Sequence, residues 1–250
     1  MKPKATRKRL DLLLVERGIA ESSKDALAMV LAGEVRVDGE RTDKAGTPIA
    51  IDAHIEVISR AQKFVSRGGI KLQGALEDFA VDPKGCVCLD IGSSTGGFTD
   101  CLLHHGAVRV YAIDVNMEQL DWKLRQDSRV IRIQRNAREL RGEEIPEKVN
   151  IVVIDVSFIS ASKVLEPAIS AARPAADFLI LVKPQFELAR EVISPGGIVT
   201  DMKLHQRAIL KVRRAAESFA LEPLGVHASR LLGAEGNQEY FLHARKKSVE

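Results

Sequence analysis

Leu10, Leu13, Leu14 and Ile19 recur at helical spacing, and Gly18 stands where that helix would have to stop. Ser22 or Ser23 is placed to cap a second helix, which has an apolar face of Ala26, Leu27, Val30 and Leu31 and ends at Gly33. Glu34–Gly39 then alternates apolar and polar positions into an Asp-Gly turn, and His54–Ile58 alternates again, so two short strands follow the helices. This grammar predicts a small α+β module over residues 1–59. Residues 60–65 read as a linker, and Ser66 opens a helix whose apolar face is Leu72, Ala75, Leu76 and Phe79.

Beyond that helix the period changes. Cys86–Ile91, Val108–Ile113, Val130–Ile133, Val149–Ile154 and Phe178–Val182 are short runs rich in valine and isoleucine, most of them separated by stretches of helical periodicity. Strands alternating with helices predict a doubly wound, Rossmann-like α/β domain with a mainly parallel sheet over residues 66–250. A helix near Met202–Phe219 and strands near Leu224–Ser229 and Gln238–Ala244 complete it.

Composition narrows the class. With 45% hydrophobic and 28% charged residues in 250, the chain can bury a real core. No apolar run approaches the roughly 18–20 residues needed to span a bilayer, and the basic start MKPKATRKRL lacks the apolar stretch of a signal peptide. Cys86, Cys88 and Cys101 have no histidines spaced to complete a zinc site, so they read as reduced thiols of a cytoplasmic protein, with no metal expected. The net charge is only +3, but it is unevenly spread. Residues 1–9 hold five Lys/Arg and no acid, residues 60–75 hold Arg60, Lys63, Arg67 and Lys71 without one, and Lys123–Arg141 holds seven bases against Asp127 and Glu139. Such clusters suit a polyanion bound through its phosphates, although a solvated helix face would look the same.

The strongest local signal is the run Val87–Asp100, VCLDIGSSTGGFTD. An apolar strand reaches Asp90 and passes through a turn containing Gly92, Ser93, Ser94, Gly96 and Gly97 to a helix beginning near Phe98. Glycine lets a backbone approach a ligand closely, and such turns lie at the carboxyl edge of a parallel sheet, where these folds bind their ligands. The spacing G-x-x-x-G-G is not the dinucleotide fingerprint G-x-G-x-x-G. An acid at the strand end suits a cofactor with a cationic amino group better than a diphosphate. Asp114 ends the next strand, where a carboxylate can accept from two ribose hydroxyls, and Asn136 follows the third, placed to approach an adenine ring. Together these residues resemble the motifs of class I methyltransferases, which bind S-adenosyl-L-methionine.

The ends of the later strands bear on what is methylated. Ile154-Asp155-Val156-Ser157-Phe158 is not the (N/D)-P-P-(Y/F) motif of enzymes that methylate base amino groups, and no cysteine is placed to attack a pyrimidine ring. Lys183, in Val182-Lys183-Pro184-Gln185-Phe186-Glu187, is an expensive residue at the mouth of an apolar strand unless it has a partner or a task. Methylating a ribose 2′-hydroxyl requires a base, and a lysine can serve where cations and partial desolvation lower its pKa and acids hold it in place. Lys71, Asp155, Lys183 and Glu239 supply two lysines and two carboxylates from segments that this topology brings to one edge. They match the Lys-Asp-Lys-Glu tetrad of ribose methyltransferases resembling FtsJ.

The match then becomes closer. V-S-R-G-G-I-K-L at Val65–Leu72, the glycine loop, I-D-V-S-F, V-K-P-Q-F-E and G-N-Q-E-Y at Gly236–Tyr240 together resemble the TlyA (haemolysin A) family across essentially the whole chain. The first segment, K-R-L-D-L-L-L-V-E-R-G through A-G-E-V-R-V-D-G, resembles the RNA-binding module of ribosomal small-subunit protein S-four. The resemblance implies a cytoplasmic methyltransferase that acts on cytidine 2′-hydroxyls in ribosomal RNA or ribosomal subunits. It implies Lys183 as base, Asp155 and Glu239 as its positioning acids, and Lys71 as a source of positive charge. RNA contacts are expected at Arg7, Lys8, Arg9, Lys24, Arg36 and Arg67. Two other readings stand beside this one: a non-catalytic RNA-binding or assembly factor that kept the fold, and a membrane-active haemolysin.

Overall fold

The computed structural model describes residues 6–57, 63–194, 196–233 and 235–248. The chain divides into two units, Met1–Gln62 and Lys63–Glu250. The expected linker lies partly outside the described residues. Of the remainder, Phe64 is buried in the second unit and the Val65 amide donates to Asp100 Oδ2 at 2.8 Å.

In the first unit, strand β1 (Arg7–Arg9) leads into helices α1 (Leu10–Glu16) and α2 (Ser23–Leu31). Short strands β2 (Val35–Val37), β3 (Glu40–Arg41), β4 (Pro48–Ala50) and β5 (Ile55–Val57) follow. The β1 strand pairs antiparallel with β4, and β3-β2-β5 form a separate sheet. Ser22 caps α2, its hydroxyl accepting from the Asp25 amide at 3.2 Å. The expected apolar face of α2 is too wide, because Ala26 and Val30 are buried but Leu27 and Leu31 are 44% and 67% exposed. The latter two sit one residue, about 100° of helix, further round. Arg17 closes the module from within, donating to the carbonyls of Ala53 at 2.9 Å and Ile51 at 2.6 Å.

The second unit starts with α3 (Gly68–Asp78), then β6 (Val87–Ile91), α4 (Gly97–His104), β7 (Arg109–Asp114), α5 (Trp122–Gln126), β8 (Val130–Gln134) and β9 (Val149–Ile154). It continues with α6 (Leu165–Ala171), β10 (Ala172–Val182), α7 (Pro184–Glu187), α8 (Met202–Ser218), β11 (Leu221–Ala228) and β12 (Tyr240–Lys246). Seven strands form one sheet in the order β11-β12-β10-β9-β6-β7-β8. The five from β6 to β10 run parallel, and β12 and β11 are joined antiparallel at one edge. Side-chain alternation along the strands divides the interior into two apolar layers. Leu89, Ile91, Val152 and Ile154 face one layer, and Cys88, Ile151 and Val153 face the other.

Several element starts differ from expectation, among them β11 at Leu221 and not Leu224, and β12 at Tyr240 and not Gln238. The β10 strand begins at Ala172, not Phe178, its early part passing through Pro174 and a register shift before Asp177. Helix α3 begins at Gly68 without a side-chain cap, because the Ser66 carbonyl accepts from the Gly69 amide at 3.1 Å in a turn.

Candidate functional site

Because β6, β7, β9 and β10 are parallel, the residues that follow them gather at one rim of the sheet. The antiparallel β12 brings its beginning to that rim. Val182 pairs with Tyr240, so Lys183 and Glu239 flank the same register position from opposite directions. Lys71 comes from the first turn of α3, which the Ser66–Gly69 turn presses against the start of α4. A Cβ on Gly97 would overlap the Ser66 hydroxyl and the Gly69 amide, so glycine is required for that approach. At Gly92 (φ 85°) a Cβ would run into the Asp155 carbonyl, so the loop after β6 touches the end of β9 only because no side chain intervenes.

Two ion pairs meet at the rim. Lys71 Nζ donates to Glu239 Oε2 at 2.5 Å, and both side chains are almost sealed from solvent. Lys183 Nζ sits 2.6 Å from Asp155 Oδ1, yet that oxygen accepts no aligned hydrogen bond. The aligned bond from Lys183 goes instead to Ser157 Oγ at 2.9 Å. All four side chains line one cavity of about 310 Å³, together with Ser66, Arg67, Gly92, Ser93, Ser94, Gly97 and Phe98.

A second cavity of about 350 Å³ shares Gly92, Ser94, Asp155 and Ser157 with the first and extends to Asp114 and Asn136. The Asp114 carboxylate accepts from the Ser94 amide at 2.9 Å, the Asn116 amide at 3.1 Å and Gln119 Nε2 at 3.0 Å, which fixes its orientation. The Asn136 carbonyl oxygen accepts from the Arg138 amide at 3.1 Å.

Asp90 and Gly96, grouped with these residues by sequence, line neither cavity. Gly96 packs against Leu120 and Leu124. Asp90 lies fully buried beneath the loop, its Oδ2 accepting from Thr99 Oγ1 at 2.7 Å and its Oδ1 without a partner. Burial pushes its carboxyl up to about 7 against the opposing Thr99 hydrogen bond, and the charges of Asp155 and Asp114 add to the rise. Burial likewise holds the Cys88 and Cys101 thiols protonated.

Several supporting residues were given no role by sequence reasoning. Glu187 is buried and accepts from the Ala161 amide at 2.7 Å and from the Ser160 hydroxyl, tying the segment after β9 to α7. Asn237 holds the turn before Glu239, accepting from the Val199 amide at 2.8 Å and donating to the Gly197 carbonyl at 3.0 Å. Ser157, Glu187 and Asn237 all stand inside quoted motifs, the only signal that could have found them. Phe158 is 87% exposed, adopts φ 66° and lies 5.2 Å from the Phe186 ring.

The basic residues expected to meet RNA are not equivalent. Arg67 donates to the Leu232 carbonyl at 2.7 Å while lining the first cavity. In the first unit Lys8 pairs with Glu16 at 2.7 Å and Arg9 with Asp11 at 2.6 Å. Arg7, Lys24 and Arg36 are exposed, with no acid partner among the described residues.

Comparison with known proteins bears on all of this. The FtsJ-like methyltransferase family matches residues 64–246, and the S4 domain matches residues 8–55. The chain is 45% identical to the 16S/23S rRNA (cytidine-2′-O)-methyltransferase TlyA of Mycobacterium tuberculosis, over 98% of this chain and 92% of that protein. It is 38% identical to Hemolysin A of Brachyspira hyodysenteriae, over 94% of this chain and 98% of that one. A solved structure described as a hemolysin of Streptococcus thermophilus superposes with a TM-score of 0.76 at 36% identity, covering 98% of this chain and 90% of that one. Among the described residues no helix is long and apolar enough to cross a membrane.

Proposed function

The chain belongs to the FtsJ-like methyltransferases, in the TlyA family that places an S4 domain before the catalytic unit, and from that premise we propose that it methylates cytidine ribose 2′-hydroxyls of ribosomal RNA in the cytoplasm. The observation that carries the reading is the meeting of Lys71, Glu239, Lys183 and Asp155 in one cavity beside the glycine loop.

The cofactor of this reading is S-adenosyl-L-methionine, which supplies a methyl group activated by its sulfonium. The residues present fit it. Asp90 Oδ1 and Ser93 Oγ are buried polar atoms without partners at the loop, and the neighbouring cavity offers a carboxylate and an amide in Asp114 and Asn136. Asp114 would hold the ribose hydroxyls, Asn136 the adenine, and the backbone at Gly92, Ser93, Ser94, Gly97 and Phe98 the amino-acid end. Asp90 supports the loop from beneath through its bond with Thr99.

For the transfer itself, Lys183 would take up the 2′-hydroxyl proton, while the cofactor would supply the methyl group and leave as its demethylated sulfide. Asp155 and Ser157 fix where the amine points. Glu239 holds Lys71, whose positive charge stabilises the developing alkoxide. Arg7, Lys8, Arg9, Lys24 and Arg36 would grip RNA phosphates from the first unit, and Arg67 from the cavity mouth. The test is transfer of labelled methyl from the cofactor to ribosomal RNA, with the modified position mapped as a 2′-O-methylcytidine. A product methylated on a base instead would reject the reading.

A further inference from the structure

Helix α8 carries a feature that the reaction does not use. Lys203, Arg207, Lys211 and Arg214 are all exposed on it, at intervals of four, four and three residues. Such spacing places them within an arc of about 80°, in a row about 16 Å long. They form one wall of a cavity of about 640 Å³, opposite Glu187, Leu188 and Ala189. That opposite wall is the end of α7 and its continuation, directly downstream of Lys183.

The row is electrostatically unfavourable for the helix itself. Asp201 caps α8, its carboxylate accepting from the Lys203 amide at 2.8 Å, but the Lys203 side chain forms no ion pair with it and stands at the positive end of the helix dipole. Like charges four residues apart repel on a helix surface. Of the four side chains, Lys211 alone forms an ion pair among the described residues, donating to the Glu187 carbonyl at 2.6 Å with the Glu187 carboxylate 3.4 Å away. Lys203, Arg207 and Arg214 pair with no carboxylate among the described residues, whereas Arg213 on the neighbouring face pairs with Glu217 at 3.2 Å. A row of unneutralised cations along a groove, whose other wall follows Lys183 in the chain by four to six residues, matches the charge of a nucleic-acid backbone.

We propose that the α8 row is an RNA-phosphate track, holding the strand that flanks the methylated nucleotide as it leaves the catalytic cavity. The proposal rests on the ribosomal RNA reading above and adds a binding surface within the catalytic unit, separate from the S4 module. The anchoring cations are Lys203, Arg207 and Arg214, and Lys211 sets the groove wall through Glu187.

The test uses the full chain carrying Lys203→Gln, Arg207→Gln and Arg214→Gln together, with Lys84→Gln, on the exposed loop before β6, as the charge control. Methyl transfer to ribosomal RNA is followed at several salt concentrations, on naked RNA and on assembled subunits. The triple variant is expected to raise KM at least tenfold, with the loss falling on KM and not on kcat. Its plot of log affinity against log salt should be shallower by about 2, since each phosphate contact contributes roughly 0.7–0.9. Arg207→Gln alone should remove about one unit of that slope, and Lys84→Gln should match the parent. A triple variant with the parent's KM and salt slope overturns the track. So does a loss seen on subunits but not on naked RNA, which would assign the row to a ribosomal protein. If the unaltered chain transfers methyl to neither substrate, the ribosomal RNA reading itself has failed, and the track falls with it.

Discussion

The two ion pairs at the rim of the sheet use the same chemical groups under different conditions. Lys71 and Glu239 are 8% and 3% exposed and share a short, aligned hydrogen bond. Lys183 and Asp155 are 11% and 22% exposed, and the ammonium leans toward Ser157 and not along the line to the carboxylate. A sealed pair sharing a short hydrogen bond is costly to break, because either partner left alone is a buried charge. The second pair, more exposed at a cavity wall, is within reach of a bound substrate. The contrast fits a structural role for the first pair and, on the proposed function, proton transfer at the second.

The sharpest way to break this contrast is Lys183→Ala. It is expected to lower methyl transfer by roughly 10²–10⁴-fold while calorimetry still finds cofactor binding, and near-parental turnover would remove Lys183 as the base. Glu239→Ala strikes the sealed pair. Chemical denaturation should show a loss of about 3–5 kcal/mol as Lys71 is left buried and unpaired, with Asp155→Asn costing clearly less. Equal losses from the two carboxylate variants would erase the distinction.

Asp90 offers a pH handle on the same rim. Its folded pKa lies well above the unfolded value, so its contribution to stability is complete below about pH 4 and is lost as pH rises through about 7. Asp90→Asn carries no such titration. The stability of the parent relative to this variant should therefore fall across that window, by up to roughly 4 kcal/mol. A difference that stays flat from pH 4 to 8 would mean the buried carboxyl titrates normally. The smallest effect is expected from Ser157→Ala, which removes one hydrogen bond from the Lys183 amine and should slow transfer by about five- to tenfold, equivalent to about 1 kcal/mol.

What could be read from the chain alone depended on whether a residue's role is local. The glycine loop, Asp114 and Asn136 follow strands whose apolar runs are conspicuous, so their place at one edge followed from a parallel sheet. Lys183 was visible as a cation where an apolar strand ends. The partnership of Lys71 with Glu239 spans 168 positions and depends on β12 running antiparallel to β10, which no local pattern shows. Asp90 was grouped with the cavity-lining residues because it ends the right strand, and only the packing of Thr99 shows that it lies underneath. The start of β10, Ala-Arg-Pro-Ala-Ala, has little strand character of its own and is held by Ala172, which pairs with Val149 of β9 and whose carbonyl accepts from Lys246 Nζ at 2.7 Å. Strands β1 and β4 were missed for a similar reason: three residues each is too short for alternation to register.

The contact between Gly97 and the Ser66–Gly69 turn has a consequence for how genetic damage would be interpreted. The loop proposed to seat the cofactor and the turn that leads into Lys71 lean on a single seam with no slack. A bulkier residue at position 97 would push both out of alignment together. Its kinetic signature would mix weakened occupancy with slowed chemistry, and a fault in scaffolding could then be mistaken for the loss of a reactive group.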